Sequence, residues 1–130
     1  MSQTLLLDTH TFIWFDVQST RLSASAKQLI ADTKNRKLLS AASIWEMSIK
    51  VGNGRLQLIG DLSTVVRDQV SRNGIEILPV TADHALTVQS LPPIHRDPFD
   101  RMLVAQAILE SAVLISCDPS IAKYPVTVIW

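Results

Sequence analysis

Apolar and polar residues follow one another in short blocks along this chain, and the blocks predict strands and helices by turns. Residues 4–7 are an apolar run ended by Asp8-Thr9-His10 and predict a buried strand. Residues 11–15 predict a short helical turn. Ser23 is the expected N-cap of a helix to about residue 34, with Leu29 and Ile30 on its inner side. Residues 37–41 predict a second strand. Ser43-Ile44-Trp45-Glu46 has the S-x-x-E form of a capping box and predicts a helix to residue 51, stopped at Gly52-Asn53-Gly54. A helix over residues 62–72, a strand over 75–79 and a helix over 81–91 capped by Thr81 follow. Asp97-Pro98 opens a helix to about residue 111, because an acid followed by proline suits a helix start. That helix is apolar nearly all round, so it belongs in the middle of the fold. Residues 113–116 predict a fourth strand, Asp118-Pro119 a short helix, and 126–129 a fifth strand. Strands alternating with helices imply an α/β fold with a short, mostly parallel sheet covered on both faces.

The chain has no repeat, low-complexity segment or linker, so residues 1–130 are expected to form one domain. Apolar residues make up 47% and charged residues 18%, a globular balance. Cys117 is the single cysteine, which excludes a disulfide framework and a cysteine-based zinc site; it is expected as a small filler at a strand end. Residues 1–7 lack a signal-peptide pattern, and the most apolar stretch, 102–116, is too short to span a bilayer. A reduced, cytoplasmic setting is the default expectation. Twelve basic and twelve acidic residues give a formal net charge of zero, without the basic excess usual in nucleic-acid binding. Lys34, Arg36 and Lys37 form a small basic cluster, expected to be a solvated loop.

Three acids sit where strands meet helices: Asp8 after the first strand, Glu46 in the first turn after the second, and Asp118 after the fourth. Ligands of open α/β sheets bind outside the carboxyl ends of the strands, so these acids are expected to share one rim. Asp100, in the first turn of the central helix, joins them if that helix starts at the same rim. Each acid also has a structural reading. Glu46 fits a capping box, Asp97 and Asp118 fit N-caps, and Asp100 suits a helix dipole. Asp8 resists such a reading, because an acid after a buried apolar run needs a partner. Gathered carboxylates repel one another unless a cation neutralises them, and none of Asp8, Glu46 and Asp118 has a basic neighbour in sequence. Mg²⁺ or Mn²⁺, which favour oxygen ligands, are the expected counter-ions, and such sites are typical of phosphoryl transfer.

These motifs resemble the PIN-domain nucleases and, more narrowly, VapC-like toxins of bacterial toxin–antitoxin pairs. The resemblance spans the chain and rests most on the string from His95 to Ala107, which contains Asp97-Pro98-Phe99-Asp100-Arg101 and Ala105-Gln106-Ala107. Leu5-Leu6-Leu7-Asp8-Thr9-His10, Ser43-Ile44-Trp45-Glu46, Ile115-Ser116-Cys117-Asp118 and the stretch from Tyr124 to Trp130 agree in order and spacing. The resemblance implies a three-layer α/β/α fold and an endoribonuclease that binds Mg²⁺ or Mn²⁺. It implies Asp8, Glu46 and Asp100 as the three core acids and Asp118 as the more variable fourth. Metal held by Asp8, Asp100 and Asp118 is expected to activate water, with Glu46 orienting it or binding a second ion. Asp97 belongs to the same string, with an N-cap role favoured over metal contact. Thr9 or Thr11 is expected either to bond a carboxylate or metal-bound water, or to cap a helix. Arg96 and Arg101 are open between contacting substrate phosphate and pairing with the acids.

The resemblance further implies an RNA substrate, an antitoxin partner and a homodimer that completes the RNA groove. Phe12, Trp14, Trp45 and Met47 flank the expected site and are candidates for a partner groove, with core packing expected for at least two. His10 stands where the family commonly has Asn, and Ser116-Cys117 where it often has Thr-Asn; neither change removes a carboxylate. His10 is left outside the metal site. One rival is a magnesium-dependent phosphatase of the haloacid dehalogenase type, which wants a second acid at the place of His10. Another is a non-catalytic PIN-like module that binds RNA or protein.

Overall fold

The computed structural model describes residues 2–130. Five strands form one sheet: β1 (Thr4–Leu7), β2 (Arg36–Ser40), β3 (Glu76–Leu78), β4 (Val113–Ile115) and β5 (Val128–Ile129). They lie in the order β3-β2-β1-β4-β5, and every neighbouring pair is parallel. The chain therefore runs outward from β1 to β2 and β3, then returns to add β4 on β1's other side. That reversal opens a crevice at the carboxyl ends of β1 and β4.

Helices cover both faces and make three layers. α1 (Thr9–Asp16), α2 (Ala24–Ala31), α3 (Ala41–Gly52) and α4 (Leu62–Asn73) lie with one face; α5 (Ala82–Val88) and α6 (Pro98–Glu110) cover the other. Strand alternation explains the division. Leu6, Leu38 and Leu114 pack with Leu103 and Val104 of α6, whereas Leu5, Leu7, Leu39 and Ile115 pack with Phe12, Ile30, Met47 and Val65. Leu6 and Leu114 are wholly buried, so truncating either to alanine is expected to cost about 2–5 kcal/mol.

α6 carries the start signals read from its sequence. Asp97 Oδ1 accepts the Phe99 N–H at 2.8 Å, and proline stands in the first turn. α4 ends on Gly74 with φ of 65°, a left-handed conformation that glycine adopts freely. Among the described residues, no helix is long and apolar enough to cross a membrane.

Several expected boundaries move. α2 ends at Ala31 and α5 at Val88, short of residues 34 and 91. The segment after Asp118 is a single 3₁₀ turn, Ile121–Lys123, and Asp118 caps the backbone turn before it. The largest shift is at α3. Ser40 is the N-cap, its Oγ accepting the Ala42 N–H at 3.0 Å, so the helix starts before Ser43. Ser43 and Glu46 consequently form no capping box, and Glu46 lies in the second turn of the helix.

Candidate active site

Three acids enter the crevice from backbone that the fold holds rigidly. Asp8 follows β1 directly and caps α1, its Oδ1 accepting the Thr11 N–H at 2.7 Å. Its own N–H donates to the Ile115 carbonyl, and the Thr11 hydroxyl donates to that carbonyl at 2.8 Å. The ends of β1 and β4 are thereby tied together, 107 residues apart in sequence from Asp8 to Ile115. Glu46 reaches the crevice from α3. Oε1 accepts the Thr9 hydroxyl at 2.7 Å, and Oε2 accepts Lys50 Nζ at 2.8 Å. Glu46 thus has a basic partner one helical turn on, which adjacency in sequence did not reveal. Asp100 projects from the first turn of α6, beside the capping Asp97.

The fourth acid arrives after β4. Asp118 Oδ1 accepts the Ser120 N–H at 2.8 Å, and Oδ2 meets His95 Nε2 at 2.9 Å. The same His95 nitrogen lies 3.1 Å from Asp100 Oδ2. One ligand atom each from His95, Asp100 and Asp118 lies within 4.8 Å of the others, a group that Asp8 and Glu46 do not join. His95 was missing from the sequence-based site. Its only signal was its place at the head of the string that ends at Ala107.

The hydrogen bonds of His95 assign its protons. The Asp97 N–H donates to Nδ1 at 3.1 Å, so Nδ1 is an acceptor and the ring proton is on Nε2. His95 therefore meets Asp118 and Asp100 as a donor through Nε2–H. Its own backbone N–H donates to the Tyr124 hydroxyl at 2.8 Å, which fixes the loop before α6.

Charge is unevenly relieved across this group. Burial and the neighbouring Asp97 charge push the Asp100 carboxyl up to about 7; His95 opposes them, while Glu46 and Asp8 add to the rise. Asp118 goes the other way. Burial acts to raise it, but the His95 hydrogen bond and the backbone donors hold it below the ordinary carboxylate value. Cys117 is exposed beside these acids and does not fill the core as expected. Partial burial, then the charges of Asp8 and Asp118, raise its thiol above the usual value.

Other residues find different work. Arg101 touches no acid: Nη1 donates to the Pro92 carbonyl at 2.9 Å and Nη2 to the Val88 carbonyl at 3.0 Å, pinning the loop to α6. Arg96 is exposed. Phe12 and Met47 are core residues, while Trp14 packs edge-on against Trp130. Trp45 stays 63% exposed and meets Phe99 edge-on, with ring centroids 5.1 Å apart. His10, at the place where a phosphatase needs its second acid, is exposed against Trp14.

Comparison with known proteins agrees with this arrangement. The PIN domain family profile matches residues 5–126. Ribonuclease VapC22 of Mycobacterium tuberculosis is 31% identical over 130 residues, covering 96% of this chain and 98% of its own. Among solved structures, the fold is similar to one in VapBC2 of Rickettsia felis bound to a promoter DNA fragment. That match has a TM-score of 0.71 and 16% identity, covering 98% of each chain. It is also similar to one in FitAcB of Neisseria gonorrhoeae, with a TM-score of 0.64 and 23% identity, covering 97% of this chain and 96% of the other. A buried acid after β1, an acid from α3, the Asp-Pro-Phe-Asp start of α6 and an acid after β4, matched along nearly the whole chain, place this protein in the PIN-domain family, among its VapC-like members.

Proposed function

We propose that this chain is a metal-dependent endoribonuclease, one domain of 130 residues, acting as the toxin of a toxin–antitoxin pair. The observation that carries the reading is the Asp100 carboxyl, pushed up to about 7 by burial and by surrounding acids. Burial first, and then the neighbouring acids, disfavour the charged carboxylate, and a divalent cation bound where His95, Asp100 and Asp118 converge would relieve both. The donor set fits Mg²⁺ or Mn²⁺, because it is dominated by carboxylate oxygens. Asp8, Asp100 and Asp118 would hold the ion, with Glu46 at its edge. When bound, such an ion neutralises charge on the scissile phosphate and activates water for in-line attack.

The chain's own groups prepare the site. Thr11 N–H fixes one Asp8 oxygen and Thr9 fixes one Glu46 oxygen, so both carboxylates keep their orientation without substrate. Lys50 holds the other Glu46 oxygen until an ion or water competes for it. His95 Nε2–H spans Asp100 and Asp118 and keeps them close despite their like charge.

An antitoxin and a second copy of the chain belong to the same reading. The relative is named as a ribonuclease VapC, and VapBC assemblies share the fold. An apolar groove of about 440 Å³ beside the site, lined by Trp45, Val80, Val88, Phe99 and Met102, supports docking of a partner there. With RNA as substrate, the cytoplasm is the working compartment.

The test is cleavage of a mixed RNA pool by protein freed of any co-purifying partner. Wild type is expected to cut with Mg²⁺ or Mn²⁺ and to stop with EDTA, and Asp8→Asn and Asp100→Asn to be inactive. Cleavage that survives EDTA, or both substitutions, overturns the reading. Absence of both cleavage and metal binding in wild type favours a binding module instead.

A further inference from the structure

The amino-terminal end of the sheet carries a second site built from different residues. Lys34, Arg36, Lys37 and Arg72 line an open cavity of about 640 Å³ between the carboxyl ends of α2 and α4 and the start of β2. Glu76 is the one acid in that lining, and it is bound to Arg36 Nε at 2.8 Å. Lys37 was expected at the head of the second strand and, with Lys34 and Arg36, in a solvated basic cluster. It is the second residue of β2, paired in register with Leu5, and only 6% exposed. Its side chain shares the face of Leu39 and leads to the cavity, and among the described residues its ammonium forms no hydrogen bond or ion pair. Its stem is buried while its ammonium keeps contact with solvent at the cavity wall, which leaves a donor open to an anion.

The two helix ends at the cavity are the competing explanation, because carboxyl ends attract cations. Each carries about half a negative charge, so together they offset only part of the lining's excess of full positive charges. A pocket of this size accepts a small ligand, and clustered lysine and arginine donors suit a phosphate's oxygens.

We propose that this cavity binds a phosphate group, with Lys37 as its central donor and Arg72 and Lys34 as flanking donors. The phosphate belongs either to a polynucleotide strand or to a free nucleotide. The site shares no residue with the acidic rim and does not depend on the ribonuclease reading. β2 separates the two ends of the sheet by roughly 13 Å.

The experiment measures binding of inorganic phosphate, adenosine monophosphate and a short single-stranded RNA to the full chain in EDTA, where metal-dependent cleavage is off. Wild type, Lys37→Met and Arg72→Gln are compared, with exposed Lys123→Met as control. Lys37→Met and Arg72→Gln are each expected to weaken binding about tenfold, with the control unchanged. Tighter binding of RNA than of the mononucleotide identifies a strand as the source; the reverse identifies a free nucleotide. A second readout separates anchoring from a structural role. Without ligand, Lys37→Met is expected to melt close to wild type, and phosphate is expected to raise the melting temperature of wild type and of the Lys123→Met control but not of Lys37→Met. Equal binding by wild type and Lys37→Met overturns the proposal. So does no binding of any probe by wild type, or phosphate that stabilises wild type and Lys37→Met alike.

Discussion

The two ends of one parallel sheet carry opposite charge. Asp8, Glu46, Asp97, Asp100 and Asp118 gather at the carboxyl ends of the strands, while Lys34, Arg36, Lys37 and Arg72 gather at the amino ends. The acids are mostly supplied with donors. Thr11, Thr9, Lys50 and Ser120 each bond one of them, while His95 is shared between Asp118 and Asp100, which leaves Asp100 as the carboxyl whose charge is least relieved. At the other end Lys37 has a buried stem and no side-chain partner, its ammonium left at the solvent edge of the cavity. A chain with a formal net charge of zero can thus hold two charged sites, because neutrality describes the sum and not the placement.

The strongest challenge to the acidic end is to remove its charges one at a time. Asp8→Asn and Asp100→Asn are expected to lower metal-dependent RNA cleavage by at least about a hundredfold, since even groups outside the direct ligands of a metal matter at about that scale. Initial rates at saturating Mn²⁺ check this. A smaller effect tests the donors. Thr9→Val keeps the shape but leaves Glu46 Oε1 without its 2.7 Å donor, and is expected to cost about 2 kcal/mol in denaturant unfolding. An unchanged midpoint would mean that water replaces the hydroxyl without loss.

The raised Asp100 carboxyl makes a signed prediction for the metal-free protein. Its folded value of about 7 exceeds its ordinary value of 3.8, so the folded state binds the proton more tightly. Stability from this group is therefore greatest at low pH and falls as pH rises between the two values. Asp100→Asn is expected to remove that slope and to be more stable than wild type at pH ~8 by about 1 kcal/mol, a figure reduced for screening at an open rim. Added Mn²⁺ is expected to narrow the difference by stabilising wild type. Thermal melts across pH, with EDTA and with Mn²⁺, measure both. The smallest effect belongs to the basic end. Lys37→Met is expected to make the salt dependence of single-stranded RNA binding shallower by about 0.7 in log–log slope. An unchanged slope would remove Lys37 from the phosphate contacts.

The resemblance of the His95–Ala107 string, the apolar runs and the helix-start signals made the family and the α/β alternation legible in the residues. Asp8 and Asp100 were legible because each has a simple local address, after a strand or in a first helical turn. Glu46 was found for a partly wrong reason. Ser40 and Ser43 are both good caps by residue type, and the sequence pattern favoured the one followed by Glu46. The backbone turns at Ser40, which puts Ser43 within 3.0 Å of the Thr9 hydroxyl and sends Glu46 into the crevice. His95 was not legible, because its local pattern is that of an ordinary loop residue, and the burial of Lys37 was not legible, because a basic residue at a strand start is expected to be solvated.

The sequence by itself determined the alternation of strands and helices, the burial of α6 and the presence of acids at strand ends, since these follow from periodicity and local backbone preference. Tertiary structure alone decided which groups meet. β4 settles beside β1 rather than at an outer edge, and this brings Asp118 to His95, 23 residues before it, and to Asp100. It also decided protonation: burial and like charge raise Asp100, and a backbone N–H on Nδ1 sets the His95 tautomer. Such effects depend on distance and desolvation in three dimensions, which no local reading of residues contains.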